Sequence, residues 1–295
     1  MPQPCHIPVL PAEVLHWLNP QPGQVIVDCT VGGGGHTRLI AERVGPGGRV
    51  IGLDQDPAML ELAKTQLAGL SVTLVHAAFD DLPDVLRDLG ISAVDGVIAD
   101  LGVCSDQLDN PARGLTFQSD GPLDMRLDPT RGEPAAALVN RLGERDLADL
   151  IYQFGEERHS RRIARRLIEA RERGELPRTT GELAELVRRC VPRPKGRRGA
   201  GIDPATRTFQ ALRIAVNDEL GALDRLLAAL PNCVKPGGRA AIISFHSLED
   251  RRVKQAFRNR DVWDALTRKP VQAGADEERD NPRSRSAKLR AAVRK

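Results

Sequence analysis

The first hundred residues contain side chains whose types and spacing are suited to binding a cofactor. Asp28 precedes a run of four glycines, Gly32–Gly35, and Asp54 ends a later apolar run. Glycines after the first strand of a parallel sheet let a cofactor approach the backbone, and an acid that ends the second strand can accept hydrogen bonds from both ribose hydroxyls. The alternative for the glycine run is a tight strand–helix turn, which any α/β protein can contain.

The glycine spacing distinguishes two classes of cofactor. A dinucleotide fingerprint, GxGxxG, needs a third glycine at position 37 or 38, where this chain has Thr37 and Arg38. An acid followed by a glycine loop suits S-adenosylmethionine better, because its sulfonium and amino groups are cationic. Phe79, just past the third strand, is a candidate for packing on the adenine, with Asp80 near the adenine amino group. Core packing is the alternative for Phe79.

Strands and helices alternate in the part of the chain that carries these residues. The predicted strands are Gln24–Cys29, Val50–Asp54, Val72–Ala77 and Val94–Leu101, and the predicted helices are His36–Val44, Ala58–Leu67 and Leu82–Leu89. Asp56 and Pro57 are typical of a helix start. This alternation predicts βαβ units and a parallel sheet, so the fold class is α/β. Asp100 ends the fourth strand, where such folds present groups to cofactor and substrate.

The alternation stops after the fourth strand. Helical patterns then follow without strands between them, at Glu144–Phe154, Glu156–Arg173, Gly181–Val191 and, after a Pro/Gly/Arg stretch, as one long helix over Ala205–Leu230. Strands return at Arg239–Phe245, Val262–Lys269 and Ala287–Arg294, with a helix at Leu248–Asn259. The sequence therefore predicts an α/β core over residues 1–104 and 206–295, with an all-helical insertion over 105–205.

Composition is that of a globular chain with an uneven charge distribution. The 295 residues hold 43 Lys and Arg against 40 Asp and Glu, and 41% of them are hydrophobic. Residues 1–110 hold 5 basic and 14 acidic side chains, whereas residues 251–295 hold 14 basic and 6 acidic ones. This asymmetry favours cofactor binding in the first part and polyanion contact in the remainder, although a solvated surface is the alternative. Only nine residues are aromatic, which argues against a wide base-stacking platform.

Cysteine usage and hydropathy predict a cytoplasmic protein. The five cysteines are far apart and form no CxxC pair, which argues against a disulfide framework and against a zinc site. No stretch approaches ~18 apolar residues, and the first ten residues lack a signal-peptide pattern. We therefore expect no membrane association and no bound metal. No coiled coil or apolar surface helix demands a dimer, so monomer and homodimer both stay open.

The chain resembles the bacterial 16S rRNA cytosine-N4 methyltransferase family, also described as MraW methyltransferases. The matching segments are HIPVLPAEVL (6–15), DCTVGGGGHT (28–37), DLGVCS (100–105), GPLDMR (121–126), ATRTFQALRIAVNDEL (205–220), ISFHSLEDRRVK (243–254) and NPRSRSAKLR (281–290). One departure is Cys104, where the family usually has Ser. We do not expect the replacement of one small polar residue by another to abolish activity.

The resemblance implies a class I (Rossmann-like) methyltransferase sheet with an inserted helical domain. It also implies the reaction, methyl transfer from S-adenosyl-L-methionine to N4 of a decoding-centre cytosine, position 1402 of 16S rRNA, with the small ribosomal subunit as partner. Carried over by position, the cofactor contacts would come from Gly34, Gly35, His36, Asp54, Phe79, Asp100 and Gln107. The alternatives are a DNA or other nucleobase amino-methyltransferase and a catalytically idle RNA-binding assembly factor.

Methylation of a cytosine amino group needs a hydrogen-bond acceptor, because its lone pair is delocalised into the ring. Many amino-methyltransferases place an Asp/Asn-Pro-Pro-aromatic motif at the end of the fourth strand, whereas this chain has Asp100-Leu101-Gly102-Val103. Our hypothesis is that Asp100 or Asp124 accepts from the amino group, while Phe245 or His246 lines the flipped base. Helix capping or core packing is the alternative for His246.

Arginine-rich segments are the candidates for RNA contact. Between Arg158 and Arg207 there are 15 Lys and Arg against 6 Asp and Glu. The basic residues that we select are Arg161, Arg162, Arg165 and Arg166 on a helix that buries Ile163, Leu167 and Ile168, then Arg193, Lys195, Arg197 and Arg198 in a loop, and Arg283 and Arg285 near the end. Phosphate contacts by these residues would make binding strongly salt-dependent. The alternative is a solvated helix face.

Overall fold

The computed structural model describes residues 7–191 and 203–295 of the chain. Two compact units divide it, one made of Met1–Cys104 with Leu220–Lys295 and the other of Ser105–Glu219. Arg193, Lys195, Arg197 and Arg198, predicted to contact RNA, lie outside the described residues.

Seven strands form one sheet in the first unit. They are β1 (Val25–Asp28), β2 (Arg49–Asp54), β3 (Val72–His76), β4 (Val94–Asp100), β5 (Val234–Ser244), β6 (Trp263–Ala265) and β7 (Lys288–Arg294). Their order is β3-β2-β1-β4-β5-β7-β6, with β1 to β5 parallel and β7 antiparallel to both of its neighbours. The α/β, Rossmann-like fold class is therefore confirmed.

Thirteen α-helices occur within residues 7–191 and 203–295. They are α1 (Pro11–Leu18), α2 (Gly35–Val44), α3 (Pro57–Gln66), α4 (Leu82–Asp88), α5 (Ser105–Asp109), α6 (Ala135–Arg141), α7 (Glu144–Gly155), α8 (Ser160–Glu172), α9 (Thr180–Cys190), α10 (Ala205–Val216), α11 (Glu219–Cys233), α12 (Ser247–Phe257) and α13 (Ala275–Asp280). The predicted start of α3 is confirmed, since the Asp56 side chain accepts a hydrogen bond from the amide of Ala58 at 3.0 Å.

The sheet has an apolar layer on each face. Ile26 belongs to a buried cluster with side chains of α1 and α2, whereas the next residue, Val27, belongs to a cluster with side chains of α4, α11 and α12. Adjacent strand residues point to opposite faces, so helices must cover both sides of a sheet whose strands are apolar throughout. This arrangement leaves the strand ends, rather than the sheet faces, available for a site.

The start of β5 and the end of β6 differ from the prediction. β5 begins at Val234, before the predicted Arg239, because the backbone pairs with β4 on both sides of a register shift between Val94 and Gly96. β6 covers only Trp263–Ala265 of the predicted 262–269. After it, the amides of Leu266 and Thr267 both donate to the carbonyl of Ala291, so the regular ladder ends there.

The second unit is helical and contains α5 to α10. α8 buries Ile163 and Leu167 as predicted, whereas Ile168 is only half-buried. α10 belongs to this unit, and the side chain of Gln210 on α10 donates to the carbonyl of Phe154 on α7 at 3.0 Å. The unit therefore extends to Glu219, beyond the predicted end of the insertion at residue 205.

The single long helix predicted over Ala205–Leu230 is wrong. α10 ends at Val216 and α11 begins at Glu219, because Asp218 adopts a left-handed backbone conformation with φ 48°. The side-chain amide of Asn217 donates to the carbonyl of Met125, and its oxygen accepts from the amide of Leu127. Asn217 therefore ends the helix while holding a loop distant in sequence.

Two further predictions concern cysteines and membranes. Cys29, Cys104, Cys190 and Cys233, which lie within the described residues, are all free thiols. None of the helices in residues 7–191 and 203–295 is both long enough and apolar enough to cross a bilayer.

Candidate active site

Three neighbouring strands of the first unit end in an aspartate. β2, β1 and β4 run parallel, so Asp54, Asp28 and Asp100 meet at the same edge of the sheet. Doubly wound sheets bind ligands at this edge, beside the point where the strand order reverses. Burial raises the pKa of Asp54 and of Asp100, and the nearby charge of Asp28 raises both further. The edge therefore favours a ligand that brings positive charge or hydrogen-bond donors.

Asp28 anchors the glycine loop. It is buried, and its carboxylate accepts hydrogen bonds from the Thr37 hydroxyl at 2.6 Å and the Thr30 amide at 3.1 Å. Burial raises the pKa of Asp28, while these two hydrogen bonds lower it. The buried carboxylate links the end of β1 to the first turn of α2. It can therefore influence a ligand in two ways, by its negative charge and by fixing the position of the glycine loop.

The glycine loop needs glycine for its backbone shape and for close packing. Gly34 precedes α2 with φ 86°, in the left-handed region, and a Cβ there would lie 3.2 Å from the Leu67 side chain. A Cβ on Gly35 would lie 3.0 Å from Pro8. No side chain of a described residue caps the start of α2, and the start of a helix is where backbone N–H groups can bind the polar end of a ligand.

Asp54 is placed to receive hydroxyl donors. Its Oδ2 accepts from the amide of Gly32 at 2.8 Å, and its Oδ1 accepts from the amide of Asp56 at 2.8 Å. Each carboxylate oxygen keeps a second lone pair for another donor. Burial raises the pKa of Asp54 to about 6, against the two backbone hydrogen bonds that lower it. At neutral pH the group is an anionic acceptor fixed to the glycine loop.

Asp100 and His36 face each other across the centre of this edge. The Nε2 atom of His36, in the first turn of α2, lies 3.8 Å from Oδ2 of Asp100. The Asp100 side chain is 20% exposed, but its Oδ1 atom is enclosed and has no hydrogen-bond partner among the described residues. Burial, then Asp28, then Glu249 raise the pKa of Asp100 well above its ordinary range. An enclosed acceptor without a donor is what a bound ligand would satisfy.

The segment after β5 brings an aromatic ring and an imidazole to the first unit's strand ends. Phe245 and His246 join β5 to α12, and a Cβ on Gly102, just after β4, would lie 3.6 Å from the Phe245 ring. β4 and β5 are adjacent, so Asp100, Phe245 and His246 lie at neighbouring strand ends. The sequence analysis grouped these three residues with Asp124, and the structure brings the three to neighbouring strand ends.

Glu249 is a residue of this site that the sequence analysis missed. Its carboxylate accepts from the amide of Phe245 at 2.9 Å, and its Oε1 lies 3.2 Å from Nε2 of His246. The amide of Glu249 donates to Nδ1 of His246, which favours the tautomer with its proton on Nε2. The signal was present in the sequence, because His246 and Glu249 have the three-residue spacing of a capping box.

Phe79 and Asp80 follow β3 in a short 3-10 helix. Phe79 is partly buried and packs against the main apolar cluster of the sheet, in agreement with the alternative of core packing. The Asp80 carboxylate accepts from Arg225 at 2.8 Å, so its acceptor capacity is shared with this guanidinium. Contact of Phe79 with an adenine stays a prediction.

Cys104 lies beside the glycine loop. Its Sγ atom is 3.2 Å from Sδ of Met59, and a Cβ on Gly32 would lie 3.5 Å from the Cys104 Cβ atom. The position is partly buried and packs through its Cβ and sulfur atoms. A serine of similar size would fit the same space.

Gln107 and Asp124 belong to the helical unit. Gln107 is buried on α5. Both carboxylate oxygens of Asp124 accept from the Arg126 guanidinium at 2.8 Å, and this pairing lowers the pKa of Asp124. Their predicted roles toward cofactor and cytosine stay predictions.

The four arginines selected on α8 are exposed, and two of them are paired with acids. Arg165 lies 3.5 Å from Glu144, and Arg166 lies 2.6 Å from Glu169. Arg161 and Arg162 are exposed without an ion pair to any described residue. In the first unit, Arg285 lies 3.9 Å from Glu278, and Arg283 is half-buried. Contact of these residues with RNA stays a prediction.

The chain is similar to known proteins over nearly its whole length. A model of the MraW methylase family matches residues 3–295. A protein of Sorangium cellulosum named Ribosomal RNA small subunit methyltransferase H is 54% identical over 98% of this chain and 90% of its own length. A protein of the same name from Deinococcus radiodurans is 50% identical over 98% of this chain and 89% of its own. The solved structure of an rRNA methylase from Streptococcus thermophilus has a TM-score of 0.43 at 10% identity, covering 96% of this chain and 93% of that one.

The strand order and the acidic sheet edge define a class I methyltransferase that uses S-adenosylmethionine. The enclosed, unpartnered Oδ1 of Asp100 and the acceptor Asp54 beside the glycine loop fit a cofactor with cationic groups and ribose hydroxyls. The chain belongs to the MraW methylase family.

Proposed function

We propose that this protein methylates N4 of a cytosine in the RNA of the small ribosomal subunit, at position 1402 of 16S rRNA. The observation that carries the proposal is the 54% and 50% identity, over 98% of the chain, to proteins named Ribosomal RNA small subunit methyltransferase H. The site of the first unit supports an amino-methyltransferase chemistry, and cytosine N4 is the amino group that our sequence analysis predicts. The enzyme would act in the cytoplasm, where the subunit is assembled.

S-adenosylmethionine, when bound, supplies an electrophilic methyl group on a sulfonium. Asp54 would hold the ribose hydroxyls, because each of its oxygens has a free lone pair beside an existing backbone hydrogen bond. The uncapped start of α2 and the glycine loop would hold the polar end of the cofactor. Their part in the reaction is to fix the donor in position, which lowers the entropic part of the barrier.

Asp100 is the group that we assign to the cytosine amino hydrogens. Its carboxylate, with the side chain 20% exposed, can accept one amino N–H. This hydrogen bond favours localisation of the lone pair on the amino nitrogen, which is the electron pair that attacks the methyl group. Burial raises the pKa of Asp100, and nearby positive charge would lower it again, so bound cofactor favours the ionised acceptor. The His36 Nε2 atom lies 3.8 Å from Oδ2 of the same carboxylate.

Phe245 and His246 would border the flipped base. Glu249 holds both through its hydrogen bond to the Phe245 amide and its contact with the His246 ring. A fixed ring and a fixed imidazole can grip a base without the Pro-Pro-aromatic motif that this chain lacks after Asp100. The methylated ammonium is a strong acid and loses its proton to water, so the mechanism requires no tuned general base.

The helical unit, Ser105–Glu219, is assigned to RNA contact. The exposed arginines of α8 provide cations for phosphates, and Arg161 and Arg162 form no ion pair with described residues. Gln107 and Asp124 keep their predicted parts in this proposal, as a cofactor contact and as an alternative acceptor for the amino group.

Transfer of labelled methyl from S-adenosylmethionine tests the proposal. The acceptors are small ribosomal subunits and naked 16S rRNA, both from cells that lack the enzyme, and the same RNA with uridine at position 1402. We expect N4-methylcytidine in one or both cytosine-containing acceptors and none in the uridine control. Label in the uridine control would overturn the assignment of methylation to position 1402. A protein that binds the cofactor and labels neither acceptor would overturn the assignment to rRNA.

A further inference from the structure

A groove of about 870 Å³ lies at one edge of the sheet, on the methyltransferase unit. Its walls are the end of α12, the strand β6 and the residues that follow β6. The rings of Phe257 and Trp263 pack at 5.4 Å in its floor, and both residues are buried. Because the floor is a packed part of the fold, the groove exists without any ligand.

Four cations line this groove without being neutralised. Lys254, Arg258, Arg260 and Arg268 are exposed, and none forms an ion pair with any residue in 7–191 or 203–295. The single acid of the lining, Asp264, lies 3.4 Å from Lys295.

Exposed cations elsewhere in the described residues are of both kinds, since Arg161 and Arg162 of α8 have no ion pair with a described residue. Arg165 and Arg166 of α8 are paired with Glu144 and Glu169. A fifth cation of the groove, Arg290, is likewise paired with Asp250, at 2.7 Å. What sets the groove apart is that its unpaired cations are gathered on one concave surface. Four unpaired cations within one concave surface raise the local concentration of anions.

The chemistry of the lining selects phosphate over bases. The aromatic rings lie in the floor with little exposed surface, so they offer no face on which a base could stack. Three of the four free cations are arginines, whose planar guanidinium matches the oxygens of a phosphate in pairs. These groups can bind the successive phosphates of a nucleic-acid backbone, rather than a single nucleobase.

α12 connects the groove to the candidate active site. His246 precedes the first turn of this helix, and Lys254 and Arg258 follow it by eight and twelve positions. At 1.5 Å per residue they lie about 12 and 18 Å further along the helix axis. This distance spans only a few nucleotides of an extended strand, so RNA whose target base reaches Phe245 and His246 can also reach the groove.

We propose that this groove binds the sugar–phosphate backbone of the RNA substrate at nucleotides that flank the methylated base. The inference rests on the proposed function and adds a second RNA-binding surface, on the methyltransferase unit itself. Each neutralised phosphate releases counterions, so the groove contributes to the salt dependence of RNA binding.

A matched pair of double variants of the full-length protein tests the groove. Lys254→Gln with Arg268→Gln removes two of its cations. Arg43→Gln with Lys64→Gln removes one arginine and one lysine that are exposed and without ion pairs to described residues, on α2 and α3 near the other end of the sheet. The measurements are the Kd for a 16S rRNA fragment around the target at several salt concentrations, the KM for RNA, and the Kd for S-adenosylmethionine.

We expect the groove variant to bind RNA about tenfold more weakly at 0.15 M salt, and its plot of log Kd against log salt to be shallower by about 1.4. Its KM for RNA should rise with no change in the Kd for the cofactor, and the control variant should match the wild type. Equal slopes and KM values for both variants would overturn the groove proposal. A wild-type protein that binds the RNA through the groove and methylates no cytosine would overturn the proposed function alone.

Discussion

The Nε2 atom of His36 lies 3.8 Å from Oδ2 of Asp100, so the first turn of α2 and the end of β4 meet at the centre of the acidic edge. The other oxygen of Asp100 is enclosed and has no partner among the described residues. Burial, Asp28 and Glu249 all disfavour ionisation of this group. The protein therefore maintains a carboxylate whose charge is stabilised only when a ligand supplies donors or positive charge, which is a common compromise between stability and activity.

Replacement of Asp100 by Asn should abolish most of the activity. The amide keeps the size of the side chain but cannot supply the negative acceptor that we assign to the amino hydrogens. Removal of one hydrogen-bonding group that stabilises developing charge, an oxyanion-hole donor, costs about 10²–10³ in kcat, and we expect a loss of this order for the acceptor. The measurement is single-turnover methylation of the RNA. A variant that retains more than about a third of wild-type kcat would exclude Asp100 as the acceptor.

The pH dependence of the stability of Asp100→Asn tests separately whether Asp100 has a raised pKa. The pKa of Asp100 is raised in the folded protein, so the wild type loses stability as pH rises above the unfolded-state value of about 3.9. The loss continues at roughly 1.4 kcal/mol per pH unit until Asp100 ionises in the folded state. The asparagine side chain of the variant does not titrate, so Asp100→Asn should become more stable relative to wild type as pH rises above about 4. Urea unfolding at several pH values measures this difference.

Binding of S-adenosylmethionine should weaken in acid, with a midpoint at about pH 6. Burial raises the pKa of Asp54 to about 6, and protonation removes the anionic acceptor that we assign to the ribose hydroxyls. Calorimetry between pH 5 and 8 should show an increase in Kd as pH falls through this value. Asp54→Asn should bind more weakly at pH 8 and lose the part of the dependence centred near pH 6. Identical pH profiles for the two proteins would contradict the assignment.

Glu249→Gln should shift the pH profile of methylation while keeping the fold. A Gln oxygen can still accept from the Phe245 amide. The substitution removes the negative charge of Glu249, which raises the pKa of Asp100 in addition to the larger effects of burial and of Asp28. The acid limb of kcat/KM should therefore move to lower pH. Glu249→Ala, which also loses the cap, should cost about 1 kcal/mol of stability. An unmoved acid limb in Glu249→Gln would assign Glu249 to capping alone.

Much of the site could be predicted because its signals are local in sequence. The alternation of strands and helices placed Asp54 and Asp100 at strand ends, and the glycine run placed a tight turn before α2. Glu249 had a local signal as well, the His-Ser-Leu-Glu spacing at a helix start, which was overlooked. The end of β5, with Phe245 and His246, followed from the return of an apolar run after Gly238.

Other features depend on contacts between distant residues. The break between α10 and α11 is stabilised by side-chain hydrogen bonds of Asn217, which donates to the Met125 carbonyl and accepts from the Leu127 amide, about ninety positions earlier. The helical pattern alone therefore predicted one continuous helix. The basic groove likewise depends on β7, which pairs with β6 and with β5. Charge counting detected a basic C-terminal segment but could not show which cations lack an acidic partner.

Asp124→Ala and Arg126→Ala should lower methylation by similar factors. Both oxygens of Asp124 are occupied by the Arg126 guanidinium, so the loss of either partner leaves the other without its ion pair. We expect the double variant to be no worse than either single variant in a methylation assay. If Asp124 accepts a hydrogen bond from the cytosine amino group, Asp124→Ala should lower the rate of methylation far more than Arg126→Ala does. Full activity in Asp124→Ala would remove it from the reaction altogether.

Gly34→Ala should destabilise the protein in the absence of any ligand. The position has φ 86°, which costs an L-residue about 1–2 kcal/mol, and the new Cβ would lie 3.2 Å from Leu67. Gly47→Ala is the matched control, because a Cβ there meets no heavy atom within 4 Å and its φ is not in the left-handed region. Thermal unfolding should separate the two variants, with the Tm of Gly34→Ala several degrees lower than that of the wild type and the Tm of Gly47→Ala unchanged or slightly higher.

If the loop also holds the cofactor, saturating S-adenosylmethionine should raise the Tm of Gly34→Ala less than that of the control. Equal Tm values without ligand would show that the left-handed conformation is not required, and the glycine run would then have to be explained by the ligand alone.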